Sequence, residues 1–175
     1  DCAAGAHSPT PGAGECTACP KGKFAAAVGL AACEPCPRGG YCPDAGAASA
    51  LVFRQCPAGS YNPDRGNSSS DACRACPAGK ANPVPGSESA DVCKPCLPGS
   101  FAASSETEWC DLCPTGEYQH VPGQTSCQPC SAEVDCAVGQ YRFGCGSGSA
   151  GSCSPCAAVP GRYFTSAGGL SDSCA

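Results

Sequence analysis

The chain has no Ile and no Met. Its bulky apolar side chains are eight Val, five Leu, five Phe, five Tyr and one Trp among 175 residues. The 42% apolar fraction conceals this scarcity, because 29 Ala and 20 Cys supply most of it. So few large groups cannot offset the entropy of ordering a chain of this length by burial alone. That excludes a helical bundle, a doubly wound sheet and any enzyme that needs a dry, preorganised pocket. No apolar run approaches the length of a membrane span. Lys and Arg number only 10, without a cluster, and the net charge is −5. Phosphate neutralisation is therefore excluded as a basis for nucleic acid binding. The chain starts at Asp1 with neither Met nor a signal peptide, and reads as a processed chain or a fragment.

Cysteine, glycine and proline fill the gap, at 20, 23 and 18 residues. Cysteine at this density marks a disulfide scaffold, which replaces burial with cross-links. Counted from the second Cys of each Cys-x-x-Cys, nine repeats start at Cys2, Cys19, Cys36, Cys56, Cys76, Cys96, Cys113, Cys136 and Cys156. A Gly follows three places later in the first eight, from Gly5 and Gly22 to Gly139. Five places after the start stands an aromatic: Phe24, Tyr41, Tyr61, Phe101, Tyr118 and Tyr141, with His7 and Ala81 as substitutes. Ten places after it stands a second Gly, except for Glu106. The last repeat fits with a short insertion, which gives Gly161, Tyr163 and Gly168.

Each mark has a mechanical reading. Cys-Pro fixes φ where a repeat begins. The first Gly permits a turn with positive φ. The aromatic acts as a miniature core, and the second Gly forms a hairpin tip. The expected fold is small and disulfide-rich: an elongated rod of about nine short irregular β-hairpins, with almost no helix, because no window has an apolar stripe at helical period. The expected segments are 1–35, two repeats; 36–55, a variant repeat with a Cys36–Cys42 loop; 56–129, four repeats; 130–155, a two-bridge module; and 156–175, a last repeat after which the chain is expected to continue.

The ruler also pairs the cysteines. Local closure gives Cys2–Cys16, Cys19–Cys33, Cys56–Cys73, Cys76–Cys93, Cys96–Cys110, Cys113–Cys127 and Cys156–Cys174. In the repeat from Cys36 the partner position is Phe53, and an extra Cys42 points to Cys36–Cys42. Cys130 and Cys145 interleave with Cys136 and Cys153 as Cys130–Cys145 and Cys136–Cys153. The rival is Cys130–Cys136 with Cys145–Cys153.

The pattern Cys-x-x-Cys-Pro-x-Gly-x-[Phe/Tyr]…Gly…Cys-x-x-Cys resembles the cysteine-rich repeats of tumour-necrosis-factor receptors and of the ephrin-receptor-like class. The likeness runs along essentially the whole chain, although Phe53 and Ala81 depart from it. It implies stacked disulfide modules in an extracellular protein, and it does not carry a function with it. Scarce Ile, Met, Asn and Lys beside abundant Ala, Gly and Pro fit a GC-rich genome such as a green alga's. Together with the repeats, this is similar to the cysteine-rich proteins of mastigonemes, the hairs of algal flagella. That likeness implies the ciliary surface.

Other chemistry is weaker. Successive Cys-x-x-Cys pairs also suit zinc ribbons, but Cys42, Cys145 and Phe53 break that pattern. A redox role for one pair lacks a βαβ context. His7 and His120 lie far apart in loops, and the Asp residues lack calcium-loop spacing. No catalytic, cofactor-binding or metal residue is assigned, and no enzyme activity is expected. Asn67-Ser68-Ser69 is the one N-glycosylation sequon. Ser8-Pro9-Thr10-Pro11 is a candidate for O-glycosylation or proline hydroxylation. The expected function is an extracellular structural or spacer segment of a filament or large cell-surface glycoprotein. The alternative is a receptor-like ectodomain that binds a protein ligand. The expected partners are proteins, homotypic or filament subunits, with covalent glycans; nucleic acid and membrane insertion by this segment are not expected.

The redox state is directly checkable. Alkylation of the denatured, unreduced protein should label none of the twenty cysteines, and metal analysis should find no stoichiometric zinc. Several labelled cysteines, or bound zinc, would refute the disulfide scaffold.

Overall fold

The structure, a computed structural model, describes residues 1–10, 14–49, 52–130, 136–137 and 140–155. Eight two-stranded antiparallel hairpins follow one another along them. They pair β1 (Ala6–His7) with β2 (Thr17–Ala18), β3 (Lys23–Phe24) with β4 (Glu34–Pro35), and β5 (Gly40–Tyr41) with β6 (Arg54–Gln55). Next come β7 (Ser60–Tyr61) with β8 (Arg74–Ala75), and β9 (Lys80–Ala81) with β10 (Lys94–Pro95). β11 (Ser100–Phe101) pairs with β12 (Asp111–Leu112), and β13 (Glu117–Tyr118) with β14 (Gln128–Pro129). β15 (Gln140–Gly146) and β16 (Ser149–Pro155) form the one long ladder. The others stop at two residues for chemical reasons. Proline at Pro35, Pro95 and Pro129 offers no amide to extend the ladder, and a bridged Cys stands directly before the second strand of every short hairpin but β5–β6, where Phe53 stands. Single 3-10 turns stand at Ser70–Ala72 and Ala90–Val92. In both, a Ser Oγ accepts from the amide of the Asp two places on, which caps the turn. These turns take up the extra length of the 20-residue repeats.

Contacts divide the chain into two compact units. The first is Asp1–Pro77 with Asn82–Cys93 and Glu106–Glu108; the second is Ala78–Ala81, Lys94–Ser105 and Trp109–Ala175. The same backbone hydrogen bonds recur within each. In the first unit Gly5 N donates to Ala25 O, Ala25 N to Ala47 O, and Gly46 N to Cys19 O, at 2.9, 2.9 and 2.7 Å. One repeat on, Gly22 N donates to Cys42 O and Cys42 N to Asn67 O, both at 2.9 Å. In the second unit Gly79 N donates to Ala102 O, Ala102 N to Gln124 O and Gly123 N to Cys96 O. Neighbouring repeats are thus joined main chain to main chain, at register positions that repeat.

This joining decides what is buried. From the second repeat to the seventh, the residue six places after the starting Cys both accepts from the repeat before and donates to the repeat after. That row is Ala25, Cys42, Asn62 and Asn82 in the first unit and Ala102 and Gln119 in the second, and every member is buried. The aromatic row, expected as the miniature core, is more exposed. Phe24 and Tyr118 are buried, but Tyr41, Tyr61 and Phe101 are only half-buried. The close approach of two main chains leaves room for small or hydrogen-bonding side chains, and the rings are left at its margin. From Gly29 to Gly123 the second Gly is likewise not a tight hairpin tip. It lies within the loop between paired strands, and its amide binds the preceding repeat. Glu106 keeps that place without glycine by adopting φ 62° itself.

The first Gly answers to a close approach as well as to a turn. Gly39 has φ 78°, and a Cβ there would collide with the carbonyl of Gly86, two repeats on in the same unit. Gly29 has φ 71°, but its nearest neighbour would be an Asp1 side-chain atom at an ordinary 3.6 Å. Gly29→Ala should therefore cost only the strain of a left-handed alanine, about 1–2 kcal/mol. Gly39→Ala should cost clearly more and open the unit to proteolysis. Denaturant titration of both variants under non-reducing conditions checks the difference.

Candidate functional site

Nine disulfides hold the described residues: Cys2–Cys16, Cys19–Cys33, Cys36–Cys42, Cys56–Cys73, Cys76–Cys93, Cys96–Cys110, Cys113–Cys127, Cys130–Cys145 and Cys136–Cys153. No described cysteine is free. Cys156–Cys174 and Tyr163 lie outside the described residues. A bridge closing a loop of this size contributes about 3 kcal/mol by the loop-entropy account. The repeat that lacks the long bridge is compensated twice. Cys36–Cys42 places Cys42 in the buried row. The Phe53 ring lies over Gly40, where a Cβ would come within 2.6 Å of it. The exchange of a Cys for Phe is thus matched across the ladder by a glycine, a pairing that inspection of spacings alone overlooks.

One cluster has metal-ligand chemistry. His7, Cys19 and Cys33 bring their ligand atoms within 4.8 Å of one another. His7 Nδ1 lies 3.2 Å from Cys33 Sγ and 3.1 Å from the Thr17 carbonyl oxygen. Both sulfurs belong to the Cys19–Cys33 bridge. They are therefore not the thiolates that hold a transition metal. His7 occupies the aromatic place of its repeat, half-buried on β1, while His120 is exposed beside Tyr118, with ring centroids 5.8 Å apart. Among the described residues, no assembly for general acid–base or nucleophilic chemistry is formed around either ring.

The polar members of the buried row carry a specific role. Asn62 Nδ2 donates to the Gly40 carbonyl at 2.8 Å, and Asn82 Nδ2 to the Ser60 carbonyl at 3.0 Å. Each bond runs back to the preceding hairpin at the same register. Asn62 Oδ1 accepts from the Asp64 amide, and Asn82 Oδ1 from the Val84 amide. Gln119 turns inward on its own loop, to Ser126 and Val121. Because Asn62 and Asn82 precede proline, they fail as glycosylation sequons; their buried role was not read from the sequence. The signal was an Asn-Pro at one offset in two successive repeats. Asn67, in the sequon, is half-buried. Its Nδ2 donates to Asn62 Oδ1 and to the Asp64 carbonyl, at 3.2 and 3.1 Å.

Two groups of exposed side chains are clustered by the hairpins, apart from single ones such as Val28 and Phe143. In the first unit, Arg54 and Arg74 hold equivalent exposed places on β6 and β8, opposite Tyr41 and Tyr61. Arg74 pairs with Asp64 at 2.6 Å. In the second unit, Leu97, Trp109 and Leu112 are 71%, 66% and 79% exposed. All three flank the Cys96–Cys110 bridge.

Residues 5–50 and 99–135 match the family described as tyrosine-protein kinase ephrin type A/B receptor-like. Those two stretches are similar to cysteine-rich, receptor-like repeats. The residues between them keep the same Gly positions, ladders and bridges. No curated protein matches the chain. The bridges and the receptor-like repeats together mark an extracellular cysteine-rich segment. No helix among the described residues is long and apolar enough to cross a membrane.

The Asn row is testable within one unit. Asn82→Ala removes a buried side chain and leaves the Ser60 carbonyl without that donor. It should lower unfolding stability by about 1–3 kcal/mol. Val84→Ala, at an exposed neighbour, should stay within about 0.5 kcal/mol. Equal losses in denaturant titration would remove the special role of the Asn row.

Proposed function

We propose that the chain is a structural segment, a disulfide-stapled spacer in a filament or a large cell-surface glycoprotein. One observation carries this reading. The buried groups of each repeat are spent on binding the repeats beside it, at positions that recur without change. Such a lattice extends by adding units, and it keeps no side chains in reserve for a reaction. Enzyme activity has no support in this arrangement. The Asn67 sequon is proposed as a glycan site. Attachment at Nδ2 replaces one of its two N–H bonds, and the adjoining Ser68 and Ser69 are exposed. The composition favours an algal ciliary hair as the setting.

A second reading, a receptor-like ectodomain for a protein ligand, is favoured by the exposed Leu97–Trp109–Leu112 hairpin, since buried aromatic anchors dominate protein recognition.

Deletion of one repeat from the full-length protein in its own cells separates the two. Removing residues 56–75 rejoins equivalent register positions. A spacer should still assemble, and the surface structure should shorten. A surface structure of unchanged length, with the protein recovered bound to an unrelated secreted protein, would favour the receptor.

A further inference from the structure

The sixth repeat departs from the others at three exposed positions, always toward a large apolar side chain. Leu97 replaces the proline found at Pro20, Pro37, Pro57, Pro77 and Pro114. Trp109, the chain's one tryptophan, stands where Ala32, Ala72, Val92 and Ser126 stand in other repeats. Leu112 ends β12 where Ala18 and Ala75 end theirs. The hairpin does not require them, because the other repeats close the same ladder without them. They do not serve the interior either, since all three are more than half exposed. Leu97 follows Cys96 and Trp109 precedes Cys110, and these bridged residues have Cα atoms 5.7 Å apart. Apolar surface gathered in this way is stabilised only when something else removes it from water.

Charge defines the occupant. Residues 95–141 hold six acidic side chains and neither Lys nor Arg. Asp111, exposed, lies between Trp109 and Leu112. The partner surface must therefore be cationic as well as partly apolar. The same chain has one. Eight of its ten basic residues fall within 21–94 beside six acidic ones, an excess of two positive charges, and Arg74 there is paired with Asp64. Arg54 and Arg74 stand exposed at equivalent places on successive hairpins, each across the ladder from a half-buried Tyr. A guanidinium on the Trp109 face gains a cation–π contact, and Asp111 supplies the opposite charge. The Tyr41 and Tyr61 rings offer apolar surface to Leu97 and Leu112.

We propose that the Leu97–Trp109–Leu112 face of one copy docks on the Arg54–Arg74 face of a second copy. The two faces differ, so the contact is head-to-tail and continues from copy to copy unless a ring closes. This deepens the structural role proposed above and rests on it.

Sedimentation velocity of the intact, fully bridged chain is the test, over a concentration series at low and high salt. The wild type should associate reversibly, and more weakly at high salt. Trp109→Ala with Leu112→Ala should weaken association by about tenfold or more, the scale of losing an anchor residue. Arg54→Glu with Arg74→Glu should do the same. All four side chains in these two variants are exposed, and unchanged protease resistance verifies that each variant is folded. The decisive arm mixes the two. Each variant keeps one competent face, so the mixture should form a 1:1 dimer that grows no further. A monomeric wild type, association untouched by either pair, or a mixture that stays monomeric would overturn the interface. A monomer whose repeat deletion still shortens the surface structure overturns the interface alone. A self-associating chain whose deletion changes no length overturns the spacer alone.

Discussion

Main-chain hydrogen bonding from one repeat to the next is the constraint on which the rest of the structure depends. A two-residue ladder is too short to be stable alone. It persists here because the residue just beyond it, six places after the starting Cys, is bonded on both sides by neighbouring repeats. In the first unit Ala25 accepts from Gly5 and donates to Ala47; Asn62 accepts from Gly39 and donates to Ser87. Contact this close dictates glycine at Gly39 and a small or amide side chain in the buried row. The bridges then lower the entropy of the unfolded chain, in a molecule with little apolar surface to bury.

That economy shapes what the surface can do. A globular domain hides its aromatics, whereas this chain buries alanine, asparagine and cysteine and leaves Tyr41, Tyr61 and Phe101 at the margin. Large apolar groups are scarce, so where several stand exposed on one hairpin they are informative. Leu97, Trp109 and Leu112 are three of the 24 bulky apolar residues in the chain, and none contributes to the interior. His7 shows the opposite case. Its closeness to Cys19 and Cys33 looks like metal chemistry until the bond between the two sulfurs is taken into account.

Much of the fold was legible in the sequence. The cysteine, glycine and aromatic spacings led to short hairpins and almost no helix, because each spacing reflects a local requirement: a turn, a positive φ, a ring at a ladder end. The buried row was not legible. Asn62 and Asn82 look like failed sequons, and Ala25 and Ala102 look like filler. Nothing in a single repeat reveals that its neighbours close over that position. The Phe53–Gly40 match was hidden for the same reason, since the two residues are far apart in sequence and meet only across the ladder.

By itself, then, the sequence determined the repeat, the kind of hairpin and the reliance on cross-links, since all three follow from local geometry and from a shortage of apolar mass. The tertiary structure decided which side chains are inside, that Cys130–Cys145 and Cys136–Cys153 interleave where two pairings were open, and that Leu97, Trp109 and Leu112 of the sixth repeat face solvent. Those outcomes depend on how one repeat is laid against the next, and a contact between repeats is set by both partners at once.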